Sequence, residues 1–234
     1  MGSADWTVMP NSLSSGDVVH AATRAISPPA GGGSFVHAFN SLTGTVGVVA
    51  LRHNQAGFAP IAPSDPGGGA IEAALVRMGA ACSVLVFFAA QVDDVSTNAL
   101  MLGLDAAGHI SLRKGLLAAG LPDAEPGSSG VLLRSSEAVA LGSWAHLRLE
   151  IAHNGCGDSC ITCWRNLGSV GAPTWAPIFG MNHASMPHFV DDGMQIASRS
   201  APLLHGFSGF AFRTEGIGGC AGVDAVTLRR QLAS

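Results

Sequence analysis

The stretch Trp144-Ala-His-Leu-Arg-Leu-Glu-Ile-Ala-His153 decides the fold. Leu147, Leu149 and Ile151 recur at every second position behind a lone tryptophan, the period of an extended chain with one buried face. Downstream, Gly206-Phe-Ser-Gly-Phe-Ala-Phe212 and Val223-Asp-Ala-Val-Thr-Leu228 repeat the pattern in short apolar runs between Gly, Asn, Asp and Ser turns. Such spacing predicts an antiparallel sheet protein and excludes a nucleotide-binding α/β enzyme.

Working outward, candidate strands are Trp6–Met9, Val18–Ile26, Phe35–Asn40, Val46–Arg52, Ile71–Met78, Val84–Gln91, Leu100–Asp105, His109–Lys114 and Val131–Ser135. His146–Ala152, Cys160–Asn166, Trp175–Phe179, Gly206–Arg213 and Val223–Arg229 complete the set. Ala70–Arg77 reads equally well as a short helix, because Ala, Glu and Leu favour that state. Proline and glycine clusters at 28–33, 63–69 and 122–130 punctuate the strands. Turns at this spacing predict two large antiparallel sheets packed face to face. Residues 1–30 read as an N-terminal arm or first strands of the same domain, and 31–234 as the β-sandwich. The expected core includes Phe35, Val48, Leu85, Phe87, Leu102, Leu112, Leu147, Leu149, Phe210 and Val226.

Of the 234 residues, 47% are hydrophobic and only 12% are charged, with net charge -4. Lys114 is the single lysine beside eleven arginines. Without a basic patch, nucleic acid is not expected as a partner. No apolar run is long enough to span a bilayer, so a membrane is not expected either. Met1-Gly-Ser-Ala-Asp5 lacks signal-peptide character, and Trp6 breaks the myristoylation pattern. A surface this poor in charge suits burial by neighbouring subunits.

The chemical motifs are sparse. Cys156-x3-Cys160-x2-Cys163 has the spacing of the radical SAM iron–sulfur motif, but no strand–helix repeats accompany it. With His153 the same cysteines form a three-Cys, one-His set that zinc accepts. Against both stands the strand-like run around Cys160 and Cys163, which aims the two thiols to opposite faces. Five cysteines without a secretory signal are expected mostly reduced. Cys82 reads as a core filler, and Cys156–Cys160 as the pair a hairpin could bring within disulfide reach. His183 and His188, followed by Asp191-Asp192, occupy a loop segment suited to polar or partner contacts. Asp93-Asp94 and Asp191-Asp192 are weighed as calcium ligands and read as solvated loop acids. Ser208 sits one glycine away from a nucleophile elbow, and no carboxylates are spaced along one strand as a glycosidase pair would be. No enzyme activity and no cofactor are expected. Trp164 and Trp175 are the tryptophans best suited to stack on a sugar.

Gly142-Ser-Trp144-Ala-His146-Leu-Arg-Leu-Glu150, the Gly-Asp turn at 157–158, Asn166, Gly206–Phe212 and Asp224-Ala-Val226 together resemble laminin-G and concanavalin A-like jelly rolls. Across residues 35–231 the chain also resembles structural proteins of tailed bacteriophages. That likeness is carried by Leu100-Met-Leu-Gly-Leu-Asp105, His109-Ile-Ser-Leu-Arg-Lys-Gly115, Gly120-Leu-Pro-Asp123 and Gly130-Val-Leu-Leu-Arg-Ser135. Phe189-Val-Asp-Asp192 and Val226-Thr-Leu-Arg-Arg-Gln231 add to it. The resemblance implies an all-β antiparallel jelly-roll sandwich. It also implies a non-enzymatic virion component of tail, baseplate or neck, assembled in the host cytoplasm against other virion proteins and copies of itself. The alternatives it leaves are a lectin-like carbohydrate-binding module and a capsid decoration protein. Trp164, Trp175, His183 and His188 are then the expected glycan or partner contacts.

Far-UV circular dichroism is expected to show β-structure with little helix, and a helical spectrum would contradict this assignment. A thiol count of five in denatured, unreduced protein would rule out a Cys156–Cys160 disulfide.

Overall fold

A computed structural model describes residues 6–12, 18–21, 35–39, 46–54, 68–153, 159–178, 188–191, 203, 206–215 and 220–230. Its strands are β1 (Trp6–Val8), β2 (Val18–Ala21), β3 (Phe35–Phe39), β4 (Val46–His53), β5 (Gly69–Arg77), β6 (Cys82–Ala90), β7 (Asn98–Leu104) and β8 (His109–Leu116). They continue as β9 (Val131–Ala138), β10 (Trp144–His153), β11 (Ser159–Asn166), β12 (Trp175–Pro177), β13 (His188–Asp191), β14 (Phe207–Glu215) and β15 (Cys220–Arg230). One sheet runs β1-β4-β14-β6-β7-β8-β9. The other runs β12-β11-β10-β5-β15-β3-β2, with β13 sharing the β12 side of β11. All these pairings are antiparallel. The result is the jelly-roll sandwich expected from the sequence, and the N-terminal stretch supplies β1 to one sheet and β2 to the other.

Period-two alternation builds the inter-sheet core. Ile71, Ala73 and Leu75 of β5, Leu147, Leu149 and Ile151 of β10, and Val223 of β15 face Val84, Val86, Leu100, Leu102, Leu112, Phe210 and Phe212 of the other sheet. Ala70–Arg77 is strand rather than helix. It is flanked by β10 and β15 and buried along its whole length, so pairing on both edges overrides its helix-favouring composition. Val226 reaches the core only because β15 carries a bulge between Asp224 and Thr227. Ala225, at φ 52, takes up the extra residue there. Asp224 and Thr227 therefore share the outer face while Val226 turns inward.

Three expected core residues lie elsewhere. Val48, Leu85 and Phe87 point away from the partner sheet and form a second core with Met9, Val95, Ala99, Met101, Leu117 and Leu121. The Leu117–Ala119 3-10 turn and the segments around Met9 and Val95 thus cover the outer face of the seven-stranded sheet. Sequence alternation shows that two faces differ, but not which outer face another segment will cover. Phe35 belongs to β3, and its side chain lies outside the described residues.

Asp105 ties the β7–β8 turn together. Its Oδ1 accepts from the backbone N–H of Ala107, Gly108 and His109 at 2.8–3.0 Å. Its Oδ2 accepts from Ser111 Oγ and from Arg134 Nε, and the residue has no exposed surface. Arg134 also reaches the more exposed Asp123 and Glu125, pairs worth little by comparison. Asp105→Ala is expected to cost about 3–5 kcal/mol in urea unfolding, because it strands a buried guanidinium and three amide donors. Asp105→Asn should cost less, since an amide oxygen still accepts; equal losses for both would show that the carboxylate is not what holds the turn.

Candidate functional site

One outer face is covered from within the chain, and the outer face of the eight-stranded sheet carries a cluster of polar and aromatic side chains. The inward leucines of β10 leave His146, Arg148 and Glu150 facing outward. The registers of β5, β11, β12 and β15 then set their neighbours. One row crosses the sheet as Pro177, Trp164, Arg148, Glu72 and Thr227. The next carries Trp175 opposite Asn166, then His146, Ala74 and Asp224. Glu150 stands between Thr162 and Ala70, with Arg229 beyond.

These side chains hold one another. Trp164 Nε1 donates to Glu150 Oε2 at 3.0 Å, and Arg148 lies 3.7 Å from the same carboxylate. Arg229 donates to Glu72 Oε1 at 3.2 Å. The Trp175 ring meets His146 at 4.8 Å and the Arg148 guanidinium at 5.8 Å, a ring contact and a cation–π contact. Asn166 is the organiser of this corner. Its Oδ1 accepts from Gly168 N and Thr174 N, and its Nδ2 donates to Ser169 O, which shapes the loop that delivers Trp175. The same Nδ2 lies 3.0 Å from His146 Nδ1. Because Oδ1 is committed to two backbone donors, Nδ1 must accept, and the His146 hydrogen sits on Nε2.

Three buried polar atoms of this face have no hydrogen-bond partner among the described residues: Glu72 Oε2, His146 Nε2 and Arg148 Nε. Leaving a buried donor or acceptor unmade costs about 1–3 kcal/mol each. Ser83 Oγ and Arg213 Nε on the covered face and Arg77 Nε share this shortfall, so what marks the present group is that its three atoms lie on neighbouring positions beside two tryptophans.

The sequence expectations meet this site unevenly. Trp164 and Trp175 are both on it, half-buried. His188 opens β13 opposite Thr162, its side chain outside the described residues, and His183 lies outside them altogether. Of the zinc candidates, Cys156 is outside the described residues and His153 is described only as the end of β10. Cys163 faces the inter-sheet core and Cys160 the opposite side, so the two cannot share one tetrahedral centre. Burial pushes both thiols up, well up for Cys163, and the Glu150 charge adds to the effect at Cys160. Cys82 is buried, with its thiol donating to Gly79 O and Cys220 O. Asp93 pairs with Arg52, and Asp94 accepts from Ser96 N and Asn11. Ser208 is a buried strand residue.

No single strand carries a pair of carboxylates at glycosidase spacing in the sequence, but pairing of two strands brings two carboxylates onto one face. Glu72 and Glu150 stand diagonally on adjacent strands of one face, a neighbourhood no spacing within a single strand can show. Glu72, His146, Arg148, Asn166, Asp224 and Arg229 were not singled out from the sequence. The available signal was the outward half of the Trp144–His153 alternation, which carries His, Arg and Glu.

A concavity of about 190 Å³ opens elsewhere, at the sandwich edge between β9 and β11–β12, lined by Ser135, Glu137, Arg165 and Leu167 among others. It has no tryptophan and none of the unpartnered atoms.

No family model matches the chain, and no curated protein matches it. Among solved structures, it is similar to a protein of unknown function from Shewanella oneidensis at TM-score 0.50 and 8% identity, over 99% of this chain and 80% of that one. A carbohydrate-binding module from Bacillus subtilis matches at TM-score 0.47 and 10% identity, over 96% and 95%. A carbohydrate esterase of the Shiga toxin-encoding bacteriophage phi24B matches at TM-score 0.47 and 14% identity, over 97% and 90%. The likeness is one of fold.

His146 makes the site sensitive to acid. Burial pushes its imidazole below the usual value of 6.5, with Glu72 and Asp224 opposing. The unfolded chain therefore binds this proton more readily, so the neutral ring's contribution is complete above about pH 6.5 and is lost as pH falls below it. The added proton on Nδ1 would also face the Asn166 N–H. The melting temperature of His146→Phe is expected to fall less between pH 7 and 5 than that of the unaltered chain; parallel curves would contradict this.

Proposed function

We propose that the chain is a carbohydrate-binding β-sandwich, receiving a glycan on the outer face of its eight-stranded sheet without cleaving it. The observation that carries this reading is the convergence of the half-buried Trp164 and Trp175 with three buried atoms that lack a partner among the described residues, Glu72 Oε2, His146 Nε2 and Arg148 Nε. A sugar ring offers an apolar C–H face to an aromatic side chain and a fringe of hydroxyls to donors and acceptors, which is this inventory in complement. Both carboxylates on adjacent strands are already engaged, Glu72 by Arg229 and Glu150 by Arg148 and the Trp164 indole. That arrangement suits holding hydroxyls in place rather than passing a proton to a leaving group.

The role in a tailed-phage particle, expected from the phage-like segments, joins this reading as the setting in which the module would work. Support for it comes from the low charge of the chain, 12% of residues, which suits a subunit surrounded by neighbours. Recovery of the chain in purified particles would support that setting, and its absence from them would remove it.

Binding is tested with the full chain on a glycan array, followed by calorimetry on what is retained. Trp175→Ala is expected to weaken binding about tenfold or more, the range for loss of a central aromatic contact. Glu137→Gln, in the edge cleft, should leave affinity unchanged. The opposite ranking would move the site to the cleft, and release of shortened sugars would replace binding with hydrolysis.

A further inference from the structure

The three unpartnered atoms also say which kind of sugar chemistry the face accepts. We infer that the ligand is an uncharged sugar read through a vicinal diol, with Glu72 Oε2 as hydroxyl acceptor and Arg148 Nε and His146 Nε2 as donors. This inference rests on the glycan-binding reading above and narrows it.

Glu72 lies directly across from Arg148, so their Cβ atoms are about 4.5–5.5 Å apart on the shared face. His146 is the next outward residue along β10, opposite the buried Ala74. One acceptor thus lies across from one donor and diagonal to the other. A hydroxyl that donates to Glu72 Oε2 can accept from Arg148 Nε–H, and its neighbour on the ring can accept from His146 Nε2–H. Adjacent hydroxyls of a pyranose supply this pair of roles, since each is donor and acceptor at once. Hydrogen bonds to charged groups are the stronger kind, so most of the discrimination would reside at Glu72 and Arg148.

Charge selects against the alternatives. Glu72, Glu150 and Asp224 share the face with Arg148 and Arg229, and each of these arginines has a carboxylate within 3.7 Å. A sugar carboxylate or sulfate would meet three acids, with both guanidiniums already sharing their charge with carboxylates. An amino sugar with a free ammonium would meet arginine on either side of Glu72. A neutral polyol meets neither penalty, and replaces hydrogen bonds that the folded chain leaves open.

The test uses the full chain on an array that prints neutral oligosaccharides beside the same backbones carrying uronic or sialic acid. Calorimetry follows with the methyl glycosides of glucose, galactose and mannose and their 3-deoxy and 4-deoxy counterparts. Retention of neutral glycans is expected, with a loss of about ten- to a hundredfold on removing one hydroxyl of the diol. Glu72→Gln should weaken binding by a similar factor, with melting recorded alongside. If that variant does not fold, His146→Phe puts the same question to the donor. Retention confined to acidic glycans would overturn this inference and leave the binding reading standing. So would neutral binding that the deoxy sugars, Glu72→Gln and His146→Phe all leave within twofold. An array that retains nothing would overturn the binding reading, and this inference with it.

Discussion

The inter-sheet core is the constraint on which the rest of the structure depends. Each leucine that β10 turns inward commits the next residue outward, so packing Leu147, Leu149 and Ile151 against the opposite sheet fixes His146, Arg148 and Glu150 in one row. A slip of one residue would exchange the two sets, exposing the core and burying the polar row. Pairing of β5 between β10 and β15 passes that constraint across the sheet and brings Glu72, Asp224 and Arg229 alongside. The bulge at Ala225 is part of the same solution, since it keeps Asp224 and Thr227 on the face while Val226 stays in the core.

The two outer faces have diverged in use. On the seven-stranded sheet, apolar residues Val48, Leu85, Phe87 and Met101 are covered from within the chain by Met9, Val95, Leu117 and Leu121. On the eight-stranded sheet the outward positions of β10, β11 and β12 include His146, Arg148, Glu150, Trp164, Asn166 and Trp175, and Glu72, His146 and Arg148 each keep one buried atom without a partner among the described residues. The first face adds to stability.

Much of the fold was legible, because alternation around Trp144–Ala152, Gly206–Phe212 and Val223–Leu228 is a local property of the chain. Trp164 and Trp175 stood out because tryptophan is rare here, at four residues, and the structure places both on one face. The carboxylate Glu72 was not, since it lies 78 positions from Glu150 along the chain and meets it only through the β5–β10 register. Ala70–Arg77 reads as helix or strand until its two neighbours are known. Val48, Leu85 and Phe87 have the right burial but the wrong face, because nothing in their own strands announces the covering segment. Asn166 owes its role to a loop it folds around its own amide, a feature visible only once Thr174 and Gly168 are brought together.

The central claim, that this outer face is where the chain meets its ligand, is tested most directly by the indole N–H resonances of the four tryptophans during glycan titration. Trp6 packs against the inter-sheet core, while Trp164 and Trp175 stand on the proposed face. The account predicts that Trp164 and Trp175 shift with a common saturation curve and Trp6 stays in place. Saturable binding that moves Trp6 and leaves Trp164 and Trp175 unmoved would contradict it.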